Sequence, residues 1–162
     1  MNSSQTTNEY ARQPHGTDGR VVAVCTSGKK GERKRNVGTA EAVAGLGIRG
    51  DAHADRATHR QVSLLAMENI EECREKGFDV NPGDFAENIT TEGFDLDSLM
   101  IGARIAIGDD VVLEITQRGK VCHDPCAIFH RMGKCIMPER GIFARVTAGG
   151  ILEVGQSIKL VQ

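Results

Sequence analysis

The fold is decided by the stretch RIAIGDDVVLEIT, residues 104–116, where apolar and polar side chains alternate on both sides of a short turn. Ile105 lies in the apolar series before the turn and Leu113 in the series after it. A period of two gives each strand one apolar face for a core, as in antiparallel sheets. Gly108-Asp109-Asp110 supplies residues typical of a hairpin turn. The stretch therefore predicts a β-hairpin.

Further β-type runs lie outward from this hairpin, at Arg20–Cys25, Gln61–Leu65 and Ile142–Thr147. The last of them again alternates with a period of two, with Ile142, Ala144 and Val146 on one face. Many short strands and 19 glycines in 162 residues are typical of small barrels. We expect a mostly β fold: a small closed or partly open antiparallel β-barrel with one main helix and short helical decorations.

The main helix is predicted over Ala66–Lys76. Ala66, Ile70 and Cys73 fall at i, i+4 and i+7 and form an apolar stripe. Gly77 is a natural residue to follow the last turn, and Phe78 can fold back onto the helix. Cys73 on this stripe and Cys25 at a strand end are both interpreted as structural thiols.

Composition defines the domain organisation and excludes several functions. Residues 1–19 are polar and aperiodic, which predicts a flexible tail before a single domain over residues 20–162. The net charge of −2, the absence of Trp and the single Tyr argue against nucleic-acid binding. The sequence shows neither a membrane-spanning apolar run nor a secretion signal. Five cysteines without an export signal then predict reduced thiols in the cytoplasm.

The densest chemistry lies in the segment 117–129, QRGKVCHDPCAIF, which contains Cys122 and Cys126, with Cys135 following. Thiols beside fixed positive charge tend to be thiolates, which attack, carry sulfur or bind metal. A zinc knuckle is one interpretation, although the Cys-x-x-x-Cys spacing fits it poorly. An iron–sulfur site and buried core cysteines are further alternatives. The crowding of polar groups around these thiols favours a functional role for them over burial in the core.

Several basic and histidine side chains are candidates for binding an anion or a metal. Arg118 and Lys120 flank Gly119, where they could lower a thiol pKa, hold an anion or form a solvated turn. The segments 49–55 and 59–61 carry histidines with acids and arginines, which indicates either a metal site or a polar loop network. The basic turn around Lys29 and Lys30 lacks the phosphate-loop pattern, so a nucleotide P-loop is rejected.

A set of short motifs in collinear order resembles the MOSC domain, named for the C-terminal part of molybdenum cofactor sulfurases. The resemblance covers about Arg20 to Leu160. Its motifs are GIRGDAH at 47–53, RQVSLL at 60–65, PGDFAENIT at 82–90, Ile101-Gly102, the cysteine loop, GIFARV at 141–146, Gly149-Gly150 and Val154-Gly155.

The resemblance implies a barrel-like β fold and a link to the molybdenum cofactor (molybdopterin). In the family a late cysteine is thought to carry persulfide sulfur or to ligate molybdenum, and Cys126, followed by apolar residues, is the best match. Cys122 and Cys135 could resolve a persulfide or disulfide. Basic partners for the cofactor's phosphate would be Arg118, Lys120 or Arg145, with Arg49 and Arg60 as further candidates and His53 beside them.

The same resemblance implies partners. Sulfurases carry a separate pyridoxal-phosphate domain, which we do not expect in this chain, so sulfur would come from a separate donor such as a cysteine desulfurase. Biosynthetic or acceptor proteins of the cofactor would be the other partners. The enzymatic step is left open between sulfur transfer and a molybdenum-dependent reductase of N-hydroxylated compounds. The rival hypothesis is a non-catalytic zinc-binding or scaffold module built on Cys122, Cys126 and Cys135.

Overall fold

The computed structural model describes residues 18–121 and 135–161. The strands it contains are β1 (Asp18–Thr26), β2 (Arg35–Asn36), β3 (Thr39–Val43), β4 (Gly47–Ile48), β5 (Val62–Ala66), β6 (Ile89–Glu92), β7 (Arg104–Ile107), β8 (Val111–Arg118), β9 (Ile142–Ala148), β10 (Gly150–Glu153) and β11 (Ser157–Val161). The helices are α1 (Met67–Glu75), a 3₁₀ turn (Leu96–Ser98) and α2 (Met137–Arg140). The first strand begins at Asp18, two residues before the predicted start of the domain.

Seven strands close into a barrel in the order β11-β7-β8-β9-β5-β6-β1, and β1 returns to pair with β11. The predicted mostly β barrel is confirmed, as is the hairpin of β7 and β8. One pairing departs from the antiparallel expectation, because β5 and β6 run parallel. A parallel pair needs a long crossover between its strands, and α1 with the segment after it supplies that crossover.

The barrel interior is filled by the apolar series that the period of two predicts. Ile105, Ile107, Leu113 and Ile115 are completely buried there. Burying one such side chain contributes roughly 1.5–3 kcal/mol, so the alternation is strongly stabilising. A separate three-stranded sheet, β10-β3-β4, extends this core with side chains such as Leu152.

A second apolar cluster lies between the barrel wall and α1. Ile70 and Cys73 on the helix pack there with Leu65 and Phe143, which confirms these two positions of the predicted apolar stripe. The third position, Ala66, ends β5 and packs in the barrel core instead. The helix ends as expected: the Phe78 amide donates to the Cys73 carbonyl, and Gly77 has φ 94°. The pattern in β9 placed Phe143 away from the core face, yet it is buried because this second cluster covers it.

In the part of the chain that the structure describes, none of the helices combines the length and the apolar character needed to cross a membrane.

Candidate functional site

A cavity of about 440 Å³ opens where several loops meet at the barrel wall. This volume lies in the range usual for small-molecule sites. Its lining comes from the loop between β1 and β2, from the loops before β5, before β6, after β8 and before α2, and from β5, α2 and β9. The residues that form it are Lys30, Gly31, His53, Asp55, Thr58, Arg60, Ser63, Phe85, Ala86, Asn88, Lys120, Cys135, Met137 and Phe143.

The cavity is amphipathic. Phe85, Met137 and Phe143 form an apolar wall, and their side chains belong to the second apolar cluster. Among the described residues, the lining also includes three cationic side chains, Lys30, Arg60 and Lys120, and one acid, Asp55. The Arg60 guanidinium also lies 5.9 Å from the centre of the Phe143 ring, close enough for a cation–π contact. An anion with a flat apolar part suits such a surface.

A buried ion pair lies next to His53, one of the lining residues. The side chains of Lys34 and Asp51 are both fully buried, with Lys34 Nζ 2.7 Å from Asp51 Oδ1. Backbone amides of Ser27 and His53 donate to the two oxygens of Asp51. Burial alone would raise the pKa of Asp51, but the hydrogen bond and charge of Lys34 and these amides hold it below its usual value. Asp51 is therefore a carboxylate at neutral pH.

His53 joins this pair to the cavity. Its Nδ1 lies 2.9 Å from Lys34 Nζ, and its ring lines the cavity. Burial and the charge of Lys34 lower the pKa of His53 to about 4, with smaller contributions from Lys120 and Lys30 opposing that of Asp51. The imidazole is therefore neutral at pH 7.

A hydrogen-bonded polar network around Asn88 and Ser63 supports the cavity wall but presents no donor to a ligand. Asn88 Oδ1 accepts from the Ser63 amide at 3.0 Å, while Asn88 Nδ2 donates to the Cys25 carbonyl. Ser63 Oγ in turn accepts from the Asn88 amide at 3.1 Å. Next to them Ala86 has φ 65°, a strained value for a residue with a Cβ. These groups bond to one another, so they shape the cavity wall rather than present donors to a ligand.

Glu87 is completely buried beside this network. Its Oε1 accepts from the Gly83 amide and from Thr90 Oγ1, whereas Oε2 has no hydrogen-bond partner among the described residues. Burial raises the pKa of Glu87 to about 7, and its hydrogen bonds only partly offset that effect. A carboxyl group with one orphan oxygen is easier to bury when that oxygen carries a proton.

A Glu87→Gln variant should become more stable relative to the natural protein as pH rises. The raised pKa means that the contribution of Glu87 to stability is complete below its ordinary pKa of about 4.5 and is lost as pH rises through about 7. The full pKa change corresponds to roughly 3 kcal/mol. Gln keeps an acceptor oxygen and does not ionise. Urea unfolding at steps from pH 4.5 to 8 measures the difference between the two proteins.

The comparison must be made at each pH, because Asp51 acts in the opposite direction. Its lowered pKa contributes stability that is lost as pH falls. Glu72→Gln, on the exposed face of α1, is the matched control for removing one carboxylate. A Glu87→Gln difference that is constant with pH would show that Glu87 does not take up a proton in this window.

The structure brings together four of the site residues predicted from the sequence. His53, Arg60, Lys120 and Cys135 all line the cavity, although they come from three separate parts of the chain. No spacing in the sequence predicts that His53 and Cys135 line the same cavity.

Three predicted basic residues lie outside the cavity lining. Arg49 pairs with Glu41 at 2.7 Å on the small sheet, and Arg145 lies 4.0 Å from Glu114 on the barrel exterior. Arg118 is exposed at the end of β8. Their side chains are solvated, so their place in an anion site stays a prediction from sequence.

The cysteines divide by environment. Cys122 and Cys126 lie outside the described residues, while Cys135 is half-buried and lines the cavity. Cys25 and Cys73 are buried, as expected of structural thiols. Burial and the nearby Glu87 raise the pKa of Cys25 to about 12, which keeps it protonated and inert. Within residues 18–121 and 135–161, no three His, Cys, Asp or Glu side chains converge on a metal position.

Sequence reasoning missed Lys34. It stands in a run of glycines and charges, Ser27–Arg35, that reads as a solvated basic turn. The turn lies against the segment around Gly83, because the backbone amide of Lys34 donates to the Gly83 carbonyl. The two backbones are so close that a Cβ on Gly83 would collide with the Lys34 carbonyl. Asp51 and His53 belong to the GIRGDAH motif at 47–53, but no local pattern in the sequence links them to Lys34.

Comparison with known proteins agrees with this architecture. The MOSC domain profile matches residues 15–159. Among solved structures, the YuaD protein of Bacillus subtilis superposes with a TM-score of 0.71 at 21% identity, over 87% of this chain and 94% of that one. YiiM from Geobacillus stearothermophilus gives a TM-score of 0.67 at 19% identity, over 89% and 75% of the two chains. YiiM from Escherichia coli gives 0.62 at 19%, over 88% and 70%. No curated protein sequence matches the chain.

This protein is a small closed β-barrel domain whose loops and wall form an amphipathic, cationic cavity. The chain belongs to the MOSC domain family, which is linked in general to molybdenum cofactor chemistry.

Proposed function

We propose that this protein binds the molybdenum cofactor, or a phosphate-bearing precursor of it, in the cavity and that Cys126 carries sulfur to the cofactor or ligates its metal. The observation that supports this most is that Lys30, Arg60 and Lys120 line the same cavity as the aromatic side chains of Phe85 and Phe143. Lys120 and Cys135, which flank the segment containing Cys126, both line the same cavity.

The residues present fit this cofactor by their chemistry. Its phosphate is an anion, and lysine and arginine are the donors that bind phosphate strongly. Its flat pterin ring would lie against apolar surface such as that of Phe85 and Phe143. Molybdenum is a soft metal when it carries sulfur ligands, and a thiolate suits it.

The cationic and the apolar lining residues have separate tasks. Lys120, Arg60 and Lys30 hold the anionic part of the ligand. The same positive charges favour a thiolate at a nearby cysteine, which is the form that accepts sulfur. The apolar side chains exclude water from the ligand and thereby strengthen its ionic contacts.

Cys126 would be loaded by thiol–persulfide exchange. Its thiolate attacks the terminal sulfur of a donor persulfide, the donor cysteine leaves as a thiolate, and no net oxidation occurs. The donor is a separate protein of the cysteine desulfurase class. When bound, the cofactor supplies the molybdenum centre on which oxygen- or sulfur-transfer chemistry runs.

An Arg60→Gln/Lys120→Gln variant should bind the phosphate-bearing pterin precursor much more weakly. Hydrogen bonds to charged groups are worth roughly 1.5–3 kcal/mol each, so losing two should lower affinity by about a hundredfold or more. Higher salt should weaken binding to the natural protein as well, because both cations lie near the surface. Titration against the ligand's own pterin fluorescence measures the affinity directly, since the chain has no Trp.

The matched control is Arg49→Gln/Arg145→Gln, which removes the same charge from side chains paired outside the cavity. It should leave affinity within about threefold. If both double variants bind equally well, the anion site is not in this cavity; if both bind equally poorly, general charge attraction explains the binding.

Metal analysis separates this function from the zinc module. The protein should be produced in cells able and unable to make the cofactor, then dialysed. Molybdenum, or a pterin fluorophore after oxidation, only from the first cells supports the proposal. Stoichiometric zinc from both would contradict it in favour of a structural metal on the three cysteines.

A further inference from the structure

Lys34 has a bonding pattern that restricts its neighbours. Its ammonium group lies 2.7 Å from Asp51 Oδ1, 3.1 Å from Ser27 Oγ and 2.9 Å from His53 Nδ1. An ammonium group has three N–H donors and no acceptor, so these three contacts use it completely. The side chain is also fully buried, which leaves no water to replace any of the three.

This pattern decides where His53 carries its proton. Because the Lys34 ammonium can only donate, Nδ1 of His53 must accept, and the ring proton then resides on Nε2. A protonated imidazole would instead set an N–H against the ammonium. Asp51 does not reverse this, since its Oδ2 lies 3.8 Å from Nδ1 and already accepts from the His53 amide at 3.0 Å.

The lysines around the ring act in the same sense. Burial, Lys34, Lys120 and Lys30 all disfavour a charged imidazole, and Asp51 alone favours it. With Nδ1 turned toward the buried ion pair, Nε2–H is the ring donor left for the cavity. Nε2 has no hydrogen-bond partner among the described residues, and about a third of the side chain is exposed.

We propose that Lys34 is a positioning residue of the candidate site, which holds His53 as the neutral Nε2–H tautomer and makes that N–H a fixed, uncharged donor to an oxyanion in the cavity. This inference depends on the proposed function in one respect, which is the identity of the ligand that the Nε2–H contacts. Lys30, Arg60 and Lys120 attract any anion, whereas a directed neutral donor selects one with an oxygen in the right place.

Nitrogen NMR of the natural protein with labelled histidine tests the first part directly. The expected His53 signals are an unprotonated Nδ1 and a protonated Nε2 at pH 7, unchanged down to about pH 5. A protonated Nδ1, or an imidazole that titrates near the ordinary pKa of histidine, would overturn the proposal. This measurement needs no variant, so it decides the matter even if removal of Lys34 prevents folding.

Two variants show whether Lys34 is responsible. In Lys34→Met, the His53 signals should become a mixture of tautomers that titrates at higher pH than in the natural protein. A purely structural lysine would leave the tautomer unchanged in the folded fraction, and that result would remove its positioning role. Lys29→Met, an exposed lysine of the same turn, is the matched control and should leave His53 unaltered.

Inorganic phosphate tests the donor's role in the cavity. His53→Asn keeps an acceptor for Lys34 but removes the donor at Nε2, so phosphate affinity should fall about tenfold while the protein stays folded. Unchanged affinity would show that Nε2–H contacts no anion. If the natural protein binds no phosphate, the proposed anion site is wrong and the donor to an oxyanion is wrong with it; the tautomer measured by NMR then reports on Lys34 alone.

Discussion

Cys126→Ser should lose the capacity to carry sulfur, by several orders of magnitude, while the barrel stays folded. A hydroxyl neither holds a persulfide nor binds a soft metal well, and removing a reacting nucleophile costs more than removing any binding contact. The measurement is incubation with a cysteine desulfurase and radiolabelled cysteine, followed by non-reducing separation and counting of bound sulfur. The labelled peptide identifies which cysteine holds the sulfur.

The controls are Cys122→Ser and Cys135→Ser. If these thiols resolve a persulfide, each variant should still take up label but release it more slowly. Label that persists at normal levels in Cys126→Ser would transfer the carrier role to another cysteine. In that case Cys135, the described cysteine at the cavity wall, is the first to consider.

Lys34→Met should lower the free energy of unfolding by about 3–5 kcal/mol, the usual cost of leaving one partner of a buried ion pair uncompensated. Asp51 would remain fully buried with only backbone amides to balance its charge. Since a whole domain is stable by only about 5–15 kcal/mol, this is a large share of the total. Urea unfolding of both proteins at pH 7 measures it.

The double variant Lys34→Met/Asp51→Asn distinguishes charge from packing. Removing both charges relieves the buried carboxylate, so the double variant should be more stable than Lys34→Met alone. Lys29→Met, which alters an exposed side chain of the same turn, should change stability by less than about 0.5 kcal/mol. A double variant less stable than Lys34→Met would mean that packing, not unpaired charge, dominates.

The sequence predicted most of the fold because the deciding interactions are local. The alternation around Gly108 specifies a hairpin through residues that are neighbours along the chain, and the structure confirms β7 and β8 there. The α1 helix ends at Glu75, one residue before the predicted end, where Gly77 and Phe78 complete a cap within six residues. The order of short motifs was enough to indicate the MOSC family, which the profile match confirms.

Tertiary structure alone decided which polar residues meet. Arg49 and Arg60 stand in similar loops, yet one pairs with Glu41 outside and the other lines the cavity. Lys34 reads as a surface charge because its immediate neighbours in the sequence are charged. It is buried because folding brings Gly83 and Asp51 to it. A period of two tells which face of a strand is buried but not which strand lies beside it, so the contacts that build the site depend on chain closure. The neutral state of His53 has the same origin, since its pKa is determined by groups that folding brings to it.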